Sequence, residues 1–271
     1  MPASNSTTAS LSIQPFTSSD TGAWSNSYLI SGESEAILFD VFMLRSDALQ
    51  VADKIAKSGK ILKCVMISHA HPDHFLGLDA IAERFPDAQV VSTENVVTDI
   101  KNDGPWMFSM LKGKLGPEGP RSLIIPEPLQ GPVLALEGSK LQVVEFEEAE
   151  SKHTATIYIS ELESLLSADL VYNQTHLYLQ ERHLESWLTR LHELEAFAKD
   201  RVTTIYPGHG KAAGLELIGQ TRTYLQDFAN ATKSRNSKTA EEHMLTKYPD
   251  YHVRQFLTAF SIPAYCSPAP V

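Results

Sequence analysis

The sequence predicts an α/β protein with a layered, sandwich-like architecture. Short apolar runs followed by helical patterns occur in two separate parts of the chain, and no repeat of fixed period is visible. The chain has 271 residues, 42 % hydrophobic and 21 % charged, which is typical of a globular protein with a sizeable core. We expect a flexible amino terminus over residues 1–10, one main domain over residues 11–232, and a helical extension over residues 233–271 that packs on the same domain.

The first part of the chain alternates between strands and helices. The runs LSIQPF, SYLI and AILFDVF predict strands, with SGESE as a hairpin loop between the last two. Ser46 is expected to cap a helix that stops at Gly59, and the continuous apolar run LKCVMIS predicts a fully buried strand. A helix over residues 77–85 and a strand over residues 88–91 follow. One set of residues is expected to form the buried face of the first helix: Leu49, Ala52, Ile55 and Ala56.

The middle of the chain has a different composition. Residues 104–132 contain five glycines and six prolines, mixed with Trp106, Met107, Phe108 and Met110. This composition predicts an irregular apolar loop. Two interpretations stay open: a surface excursion packed by its own side chains, or a lid over a substrate.

The second part resumes with strands at LQVVEF, TATIYI and SLLSAD. A long helix over residues 181–199 is expected to bury Leu184, Trp187, Leu188, Leu191 and Leu194. VTTIYPGHG predicts a strand that ends in a tight glycine turn, and another amphipathic helix and the helical extension follow.

Charge and cysteine content limit the binding partners and the cellular compartment that we expect. With 23 basic and 33 acidic residues the formal net charge is −10, which argues against a nucleic-acid-binding surface. Cys64 and Cys266 are too few for a disulfide framework, the first residues lack the pattern of a secretory signal, and no apolar run is long enough to span a bilayer. We therefore expect a cytoplasmic protein that acts on a small molecule, without a nucleic-acid or membrane partner; its oligomeric state is left open.

The most informative segment is SHAHPDHFLG, which follows directly after the predicted buried strand. It places His69, His71, Asp73 and His74 at a sheet edge, where alternate extended residues can share one metal ion. Imidazole and carboxylate ligands together suit zinc, with iron or manganese possible. A single loop cannot complete the coordination, so further ligands are expected from other strand ends.

Three further residues lie at such ends. His153 begins a predicted strand, Asp169 ends the SLLSAD run, and His209 lies in the glycine turn. The other histidines, at positions 183, 192, 243 and 252, lie on a helix flank or in the charged tail, where a solvated or packing role is expected; His176 is left undecided.

These residues, in this order, resemble the ligand set of the metallo-β-lactamase superfamily. The resemblance extends from SNSYLI to PGHG and implies a four-layer αββα sandwich with a metal site at one sheet edge. It also implies two zinc ions, one held by His69, His71 and His153 and the other by Asp73, His74 and His209, with Asp169 bridging them. Asp40 resembles the family's first aspartate, which supports the ligand loop through hydrogen bonds.

The implied chemistry is metal-dependent hydrolysis. Two zinc ions would generate a bridging hydroxide at neutral pH and polarise a carbonyl group, and Asp73 would orient that hydroxide and pass its proton to the leaving group. Tyr172 resembles the tyrosine with which acyl-homoserine lactonases bind the ring carbonyl, although a packing role is open. Trp106 and Phe108 would contact an apolar substrate beneath the lid.

The leading hypothesis is therefore a dinuclear hydrolase that opens a lactone, lactam or ester bond of a small, fairly apolar molecule, with detoxification as one role to consider. Asp169 and the amino terminus argue against a secreted antibiotic-hydrolysing enzyme. A thioesterase of the glyoxalase II kind is an alternative, but Lys152-His153-Thr154-Ala155-Thr156 departs from the His-Thr-Pro-Gly-His of those relatives. The remaining hypotheses are an iron-dependent oxidoreductase on the same fold and a catalytically silent binding protein.

Overall fold

A computed structural model of the chain describes residues 10–267. The flexible amino terminus predicted for residues 1–10 therefore lies almost entirely outside the described residues.

The first sheet is mixed and has the strand order β1-β2-β3-β4-β5-β6. The pairs β1–β2 and β2–β3 are antiparallel, and the remaining pairs are parallel. The bounds of these strands are β1 Ser12–Thr17, β2 Asn26–Ser31, β3 Glu35–Phe39, β4 Ile61–Met66, β5 Gln89–Ser92 and β6 Glu127–Pro128.

The second sheet is also mixed and has the order β11-β10-β9-β8-β7. The pair β10–β11 is parallel and the other pairs are antiparallel. Its strands are β7 Val133–Leu136, β8 Ser139–Glu147, β9 His153–Ile159, β10 Ser164–Tyr172 and β11 Thr204–His209. The strand β7 was not predicted from the sequence.

Helices cover the outer faces of both sheets. Their bounds are α1 Arg45–Ser58, α2 Pro72–Phe75, α3 Leu78–Arg84, α4 Glu94–Leu115, α5 Leu184–Ala198, α6 Glu216–Thr232, α7 Ser237–Lys247 and α8 Ile262–Cys266, with a π-helical segment, Phe256–Ser261, before α8. One apolar cluster packs the first sheet against α1, α3 and α4, and another packs the second sheet against α5, α6 and the carboxyl-terminal helices. A third cluster fills the space between the sheets. The chain is therefore the predicted four-layer αββα sandwich.

The strand β3 shows how the sequence produces this layering. From Ala36 onward its residues are apolar on both faces, because a strand buried on both sides cannot alternate with polar residues. Ala36 and Leu38 pack toward the helices on the outer face, whereas Ile37 and Phe39 pack between the sheets.

The expectation of an irregular loop over residues 104–132 is wrong for its first part. The helix α4 continues to Leu115 with Pro105 inside it, although proline removes one backbone donor from a helix. Packing explains this result: Ile100 is buried, and Met107, Phe108 and Leu111 pack against the same outer-face cluster at helical spacing. The stabilisation from this apolar stripe outweighs the low helix propensity of glycine and proline.

The first helix differs from the prediction in its cap and its face. Its N-cap is Leu44 rather than Ser46, and Gly59 ends it in a left-handed conformation with φ 71°, as expected. Leu49 is exposed, whereas Ala48 and Val51 are buried, so the buried face is rotated relative to the predicted one.

The carboxyl-terminal helices share the core of the second sheet. Ala240, Met244, Leu257 and Ile262 belong to the same apolar cluster as Trp187 of α5. No helix in residues 10–267 combines the length and the apolar character that crossing a membrane would need.

Candidate metal centre

Four of the candidate residues come from the segment that leaves β4. His69 and His71 lie in the extended stretch after this strand, and Asp73 and His74 lie in the short helix α2. Proline at the first position of α2 turns the chain there, because its fixed φ suits the start of a helix. All four side chains are buried within one cluster.

The second sheet supplies the other side of the cluster. Asp169 comes from β10 and His209 from the end of the neighbouring strand β11. The distance between His209 Nε2 and Asp169 Oδ2 is 3.2 Å, and that between His74 Nε2 and Asp169 Oδ1 is 3.3 Å. Asp73 Oδ2 lies 3.4 Å from His209 Nε2 and 3.6 Å from His74 Nε2. Asp169 therefore lies between His74 and His209, which were both predicted for the second ion, and its Oδ2 also lies 4.0 Å from His69 Nε2 of the first group.

Glycine in the PGHG turn is required by this approach of the strands. A Cβ atom at Gly208 would lie 1.7 Å from Asp169 Oδ1, which is far inside van der Waals contact. Any side chain at position 208 would displace the carboxylate, so the glycine that follows Pro207 is what allows β11 to approach Asp169 so closely.

His153, predicted as the third ligand of the first metal ion, lies outside the cluster. Its Nδ1 is 2.6 Å from Asp99 Oδ2 of α4, and the same carboxylate lies 3.4 Å from Lys152 Nζ. Asp99 is itself buried. The prediction therefore needs correction: His153 connects β9 to α4 through Asp99 and belongs to none of the three groups of clustered donors.

Glu150 occupies the place that His153 was expected to fill. It lies in the turn between β8 and β9, where Glu148 adopts a left-handed φ of 51° and donates its N–H to Lys152 O. The Glu150 side chain is 2 % exposed; Oε1 lies 3.1 Å from His71 Nδ1 and Oε2 lies 3.6 Å from His69 Nε2. The sequence signal was only an acid-rich run before His153, and no spacing distinguished Glu150 from its neighbours.

Each histidine of the cluster has one ring nitrogen fixed by the protein, which sets the direction of the other. His69 Nδ1 lies 2.8 Å from Ser68 Oγ, His74 Nδ1 lies 2.9 Å from Asp40 Oδ2, and His209 Nδ1 lies 3.0 Å from Ala23 O. The two ring nitrogens of His71 have the opposite roles. Its Nε2 is held by Glu181 Oε1 at 2.7 Å, and its Nδ1 faces Glu150.

Asp40 has the supporting position expected of it. It follows β3 with a left-handed φ of 61°. Its carboxylate accepts hydrogen bonds from the Ser68 backbone N–H and hydroxyl, both at 2.7 Å, in addition to its contact with His74. Asp40 therefore fixes the start of the ligand segment without facing the cluster.

The donor atoms that face the cluster have no hydrogen-bond partner. They are His69 Nε2, His74 Nε2, His209 Nε2, Asp73 Oδ2, Asp169 Oδ1 and both Glu150 oxygens. Unpartnered buried polar atoms are costly and rare, and here they lie together. Donors of a tetrahedral zinc ion with bonds of about 2.0–2.2 Å lie roughly 3.3 Å apart, which the observed separations match. The residues therefore fit divalent metal ions.

Burial and neighbouring charges shift the pKa values of two carboxyl groups in opposite directions. Burial raises the pKa of Glu150 to about 8, although the neighbouring His71 acts to lower it. Burial also acts to raise the pKa of Asp169, but His209 and His74 outweigh it and hold this pKa well below its usual range. A cation beside Glu150 would favour its ionised form, consistent with a role as a metal ligand.

A cavity of about 370 Å³ opens onto the cluster. His71, Asp73, Glu150 and Asp169 line its floor, and residues of α4 and of the carboxyl-terminal segment form its walls. Trp106, which was predicted to contact the substrate, lines the cavity. Phe108, the other predicted contact, packs on the outer-face cluster beneath Lys112 instead, because it lies on the core-facing side of α4.

Tyr172 also differs from the expectation that its phenol contacts the substrate carbonyl. It is buried, and its hydroxyl donates to Asp169 Oδ2 at 2.5 Å. Its ring stacks on that of His209 with centroids 5.0 Å apart. Tyr172 therefore positions Asp169 and His209 from behind, while Tyr178, not singled out from the sequence, lines the cavity and packs against His71.

Comparison with known proteins agrees with this architecture. The sequence model of the metallo-beta-lactamase superfamily matches residues 22–209. The uncharacterized protein YobT of Bacillus subtilis (strain 168) is 35 % identical over 69 residues, which cover 26 % of this chain and only 29 % of that relative.

Solved structures resemble the whole fold. A metallo-beta-lactamase family protein, TTHA1429 from Thermus thermophilus, superposes with a TM-score of 0.66 at 16 % identity and covers 94 % of this chain and 91 % of its own. The DIM-1 metallo-beta-lactamase superposes with a TM-score of 0.61 at 16 % identity, covering 80 % of this chain and 97 % of its own. At this identity the likeness concerns the fold alone.

Proposed function

This chain belongs to the metallo-β-lactamase superfamily, and from that premise we propose that it is a hydrolase with two zinc ions that opens a lactone, lactam or ester bond of a small, fairly apolar molecule. The observation that carries the proposal is the set of unpartnered donors at the floor of a cavity of about 370 Å³. Cavities of this size are typical of small-molecule sites.

The residues divide into two groups that could each hold one ion. His69, His71 and Glu150 form one group, Asp73, His74 and His209 form the other, and Asp169 lies between them. When bound, zinc ions would lower the pKa of water toward neutrality and would stabilise negative charge on the substrate oxygen.

The remaining steps belong to the side chains. Asp73 lines the cavity, and its Oδ2 faces His74 and His209, so the other carboxylate oxygen can accept a proton from the attacking water and return it to the leaving group. Tyr172 keeps Asp169 in place, and Glu181 fixes the ring of His71 so that Nδ1 faces inward. These contacts hold the donors in position before substrate arrives.

The cavity lining supports a fairly apolar substrate over a glutathione or coenzyme A thioester. Among the described residues that line it, Lys114 is the single lysine or arginine. A thioesterase for these anionic carriers would need a basic cluster at this opening. Cytoplasmic location and the absence of nucleic-acid and membrane partners remain part of the proposal.

Elemental analysis of the purified protein, followed by assays with a lactone, a lactam, an aryl ester and a thioester, tests this function. We expect about two zinc ions per chain and hydrolysis of at least one of the oxygen esters or the lactam. Asp73→Asn should remove most of the turnover. Iron in place of zinc with no hydrolysis would contradict the proposal and would favour the redox alternative.

A further inference from the structure

Exposed apolar side chains converge on the cavity above the cluster. Trp106 of α4 is 65 % exposed, Met110 of α4 is 37 % exposed, and Phe260 of the π-helical segment is 38 % exposed. All three line the same cavity, and they come from elements on opposite sides of it. Large apolar side chains that gather in one concave site mark a surface that binds an apolar group.

The charges in the same cavity are mostly negative. Asp73, Glu150, Asp169 and Glu181 line it, and Lys114 lies exposed on the last turn of α4. Two divalent ions would bring four positive charges, of which Asp73, Glu150 and Asp169 would cancel three. Glu181, which binds His71, would cancel the fourth. Asp40, which contacts His74, would offset Lys114, so the two ions and the surrounding side chains would leave no excess positive charge to attract an anionic group.

Glu150 is decisive in this balance. A neutral histidine ligand, which was expected at position 153, would make the site one charge more positive. The carboxylate removes that charge next to the apolar cleft. A carboxylate on the substrate would then lose its hydration in the cleft without gaining a compensating partner, which is unfavourable.

Resting on the proposed hydrolase function, we propose that the apolar cleft between α4 and the π-helical segment binds an uncharged acyl or ring group of the substrate, and that the site discriminates against the same group when it carries a carboxylate. Trp106 and Phe260 determine this specificity through apolar contact. Glu181 determines it through charge.

A matched set of three esters separates the two parts of the proposal. 4-Nitrophenyl acetate and 4-nitrophenyl hexanoate differ by four methylene groups, and the 4-nitrophenyl monoester of adipic acid has a carboxylate in place of the terminal methyl group of the hexanoate. With the zinc-loaded enzyme, we expect kcat/KM for the hexanoate to exceed that for the acetate at least tenfold, because each buried methylene contributes about 0.8 kcal/mol. We expect kcat/KM for the hexanoate to exceed kcat/KM for the adipate monoester at least tenfold as well.

Variants assign these ratios to residues. Trp106→Ala and Phe260→Ala should each reduce the preference for hexanoate over acetate at least threefold. Leu215→Ala, at a leucine outside the cavity that is about as exposed as Phe260, should leave this preference unchanged. Glu181→Gln should reduce the ratio of kcat/KM for the hexanoate to kcat/KM for the adipate monoester at least threefold. Each ratio compares two substrates of the same protein, so a general loss of activity cancels. Equal rates for hexanoate and adipate monoester, or ratios that the cavity variants leave unchanged, would overturn the proposal.

A binding measurement separates this inference from the proposed function. N-(4-nitrophenyl)hexanamide and the corresponding monoanilide of adipic acid carry a nitroaryl group that quenches nearby tryptophan. If no ester is hydrolysed but the hexanamide quenches the fluorescence of the wild type more strongly than that of Trp106→Phe, and the adipic acid anilide does not, the cleft proposal stands and the hydrolase proposal fails. If esters are hydrolysed without preference, the hydrolase stands and the cleft proposal fails.

Discussion

At the scale of single residues, the metal centre depends on which atom of each side chain is already occupied. Ser68, Asp40 and the Ala23 carbonyl hold one ring nitrogen of His69, His74 and His209, so the other nitrogen faces the cluster. Such contacts fix the ring orientation before any ion binds. This order explains why the donor atoms lie together although each is unpartnered and buried.

The exchange of His153 for Glu150 gives a direct prediction at this scale. Glu150→Ala should reduce the bound metal from two ions per chain to one or fewer, whereas His153→Ala should retain both. His153→Ala should lower the free energy of unfolding by about 1 to 3 kcal/mol, because it leaves the buried Asp99 carboxylate without this hydrogen bond. Metal content and chemical denaturation test the pair, and metal loss in His153→Ala with retention in Glu150→Ala would contradict our assignment.

Gly208 provides a second residue-scale prediction. Gly208→Ala should displace Asp169 and weaken metal binding at least tenfold, since the new Cβ would meet the carboxylate. Gly219→Ala is the matched control: its Cβ meets nothing within 4 Å in the first turn of α6, so it should stabilise the protein by about 0.5 to 1 kcal/mol. A chelator competition assay and thermal unfolding of both variants measure these effects; unimpaired metal binding by Gly208→Ala would count against the close approach of β11.

At the scale of elements, α4 and the β2–β3 hairpin show how tertiary contacts decide local structure. The helix α4 forms across Gly104 and Pro105 because its buried stripe packs on the first sheet. In the hairpin, the turn's backbone N–H groups at Glu33, Ser34 and Glu35 donate to the Glu137 carboxylate, which comes from the turn between β7 and β8 in the other sheet.

This contact predicts a pH dependence. Hydrogen bonds from Ser34 and its neighbours lower the pKa of Glu137 to about 2 from the usual 4.5. A lowered carboxyl pKa means that the unfolded chain binds more protons, so this stabilisation is present above pH 4.5 and is lost as the pH falls toward 2. The melting temperature of Glu137→Gln should lie below that of the wild type at pH 7 and approach it near pH 3. A constant difference across this range would show that ionised Glu137 does not stabilise the hairpin.

At the scale of the whole molecule, the carboxyl-terminal helices form part of the body of the protein. The backbone of His252 pairs with that of His176 and Gln174, and its ring stacks on Trp24 with centroids 4.4 Å apart. Trp24 follows Ala23, whose carbonyl accepts from His209. The carboxyl-terminal segment therefore braces the loop that orients a metal ligand, and it also forms one wall of the cavity.

Low pH should destabilise the contact between the carboxyl-terminal segment and the rest of the protein through protonation of His176. Burial lowers the pKa of His176 to about 4, and its Nδ1 lies 2.8 Å from the Tyr224 hydroxyl. The unfolded chain, with a histidine pKa of about 6.5, binds more protons between these values, so stability falls as the pH drops from about 6.5 toward 4. The melting temperature of His176→Asn should lie below that of the wild type near pH 6.5, and this difference should become smaller as the pH falls toward 4. The difference between the wild type and His243→Asn, a substitution at an exposed histidine, should not change over the same range. If the melting temperatures of the wild type and His176→Asn fell in parallel with pH, the buried neutral His176 would not account for the acid sensitivity.

Local patterns predicted a layered sandwich and the positions of Asp73 and His209 at strand ends, whereas the role of Asp40 followed only from the resemblance to the superfamily. Apolar periodicity marks buried strands, and ligands placed directly after such strands are brought to one sheet edge. Glu150 and Phe108 could not be assigned in this way. The direction of Glu150 depends on a turn with a left-handed residue, and the direction of Phe108 depends on how a helix of low propensity packs on the sheet.

The cluster, with Glu150 in place of His153, is expected to hold two metal ions. Anomalous diffraction at the zinc edge from crystals of the zinc-loaded protein tests this occupancy most directly. We predict two peaks, one within about 2.3 Å of donors from His69, His71 and Glu150 and the other equally near donors from Asp73, His74 and His209. A single peak, or a peak coordinated by His153 rather than Glu150, would contradict it.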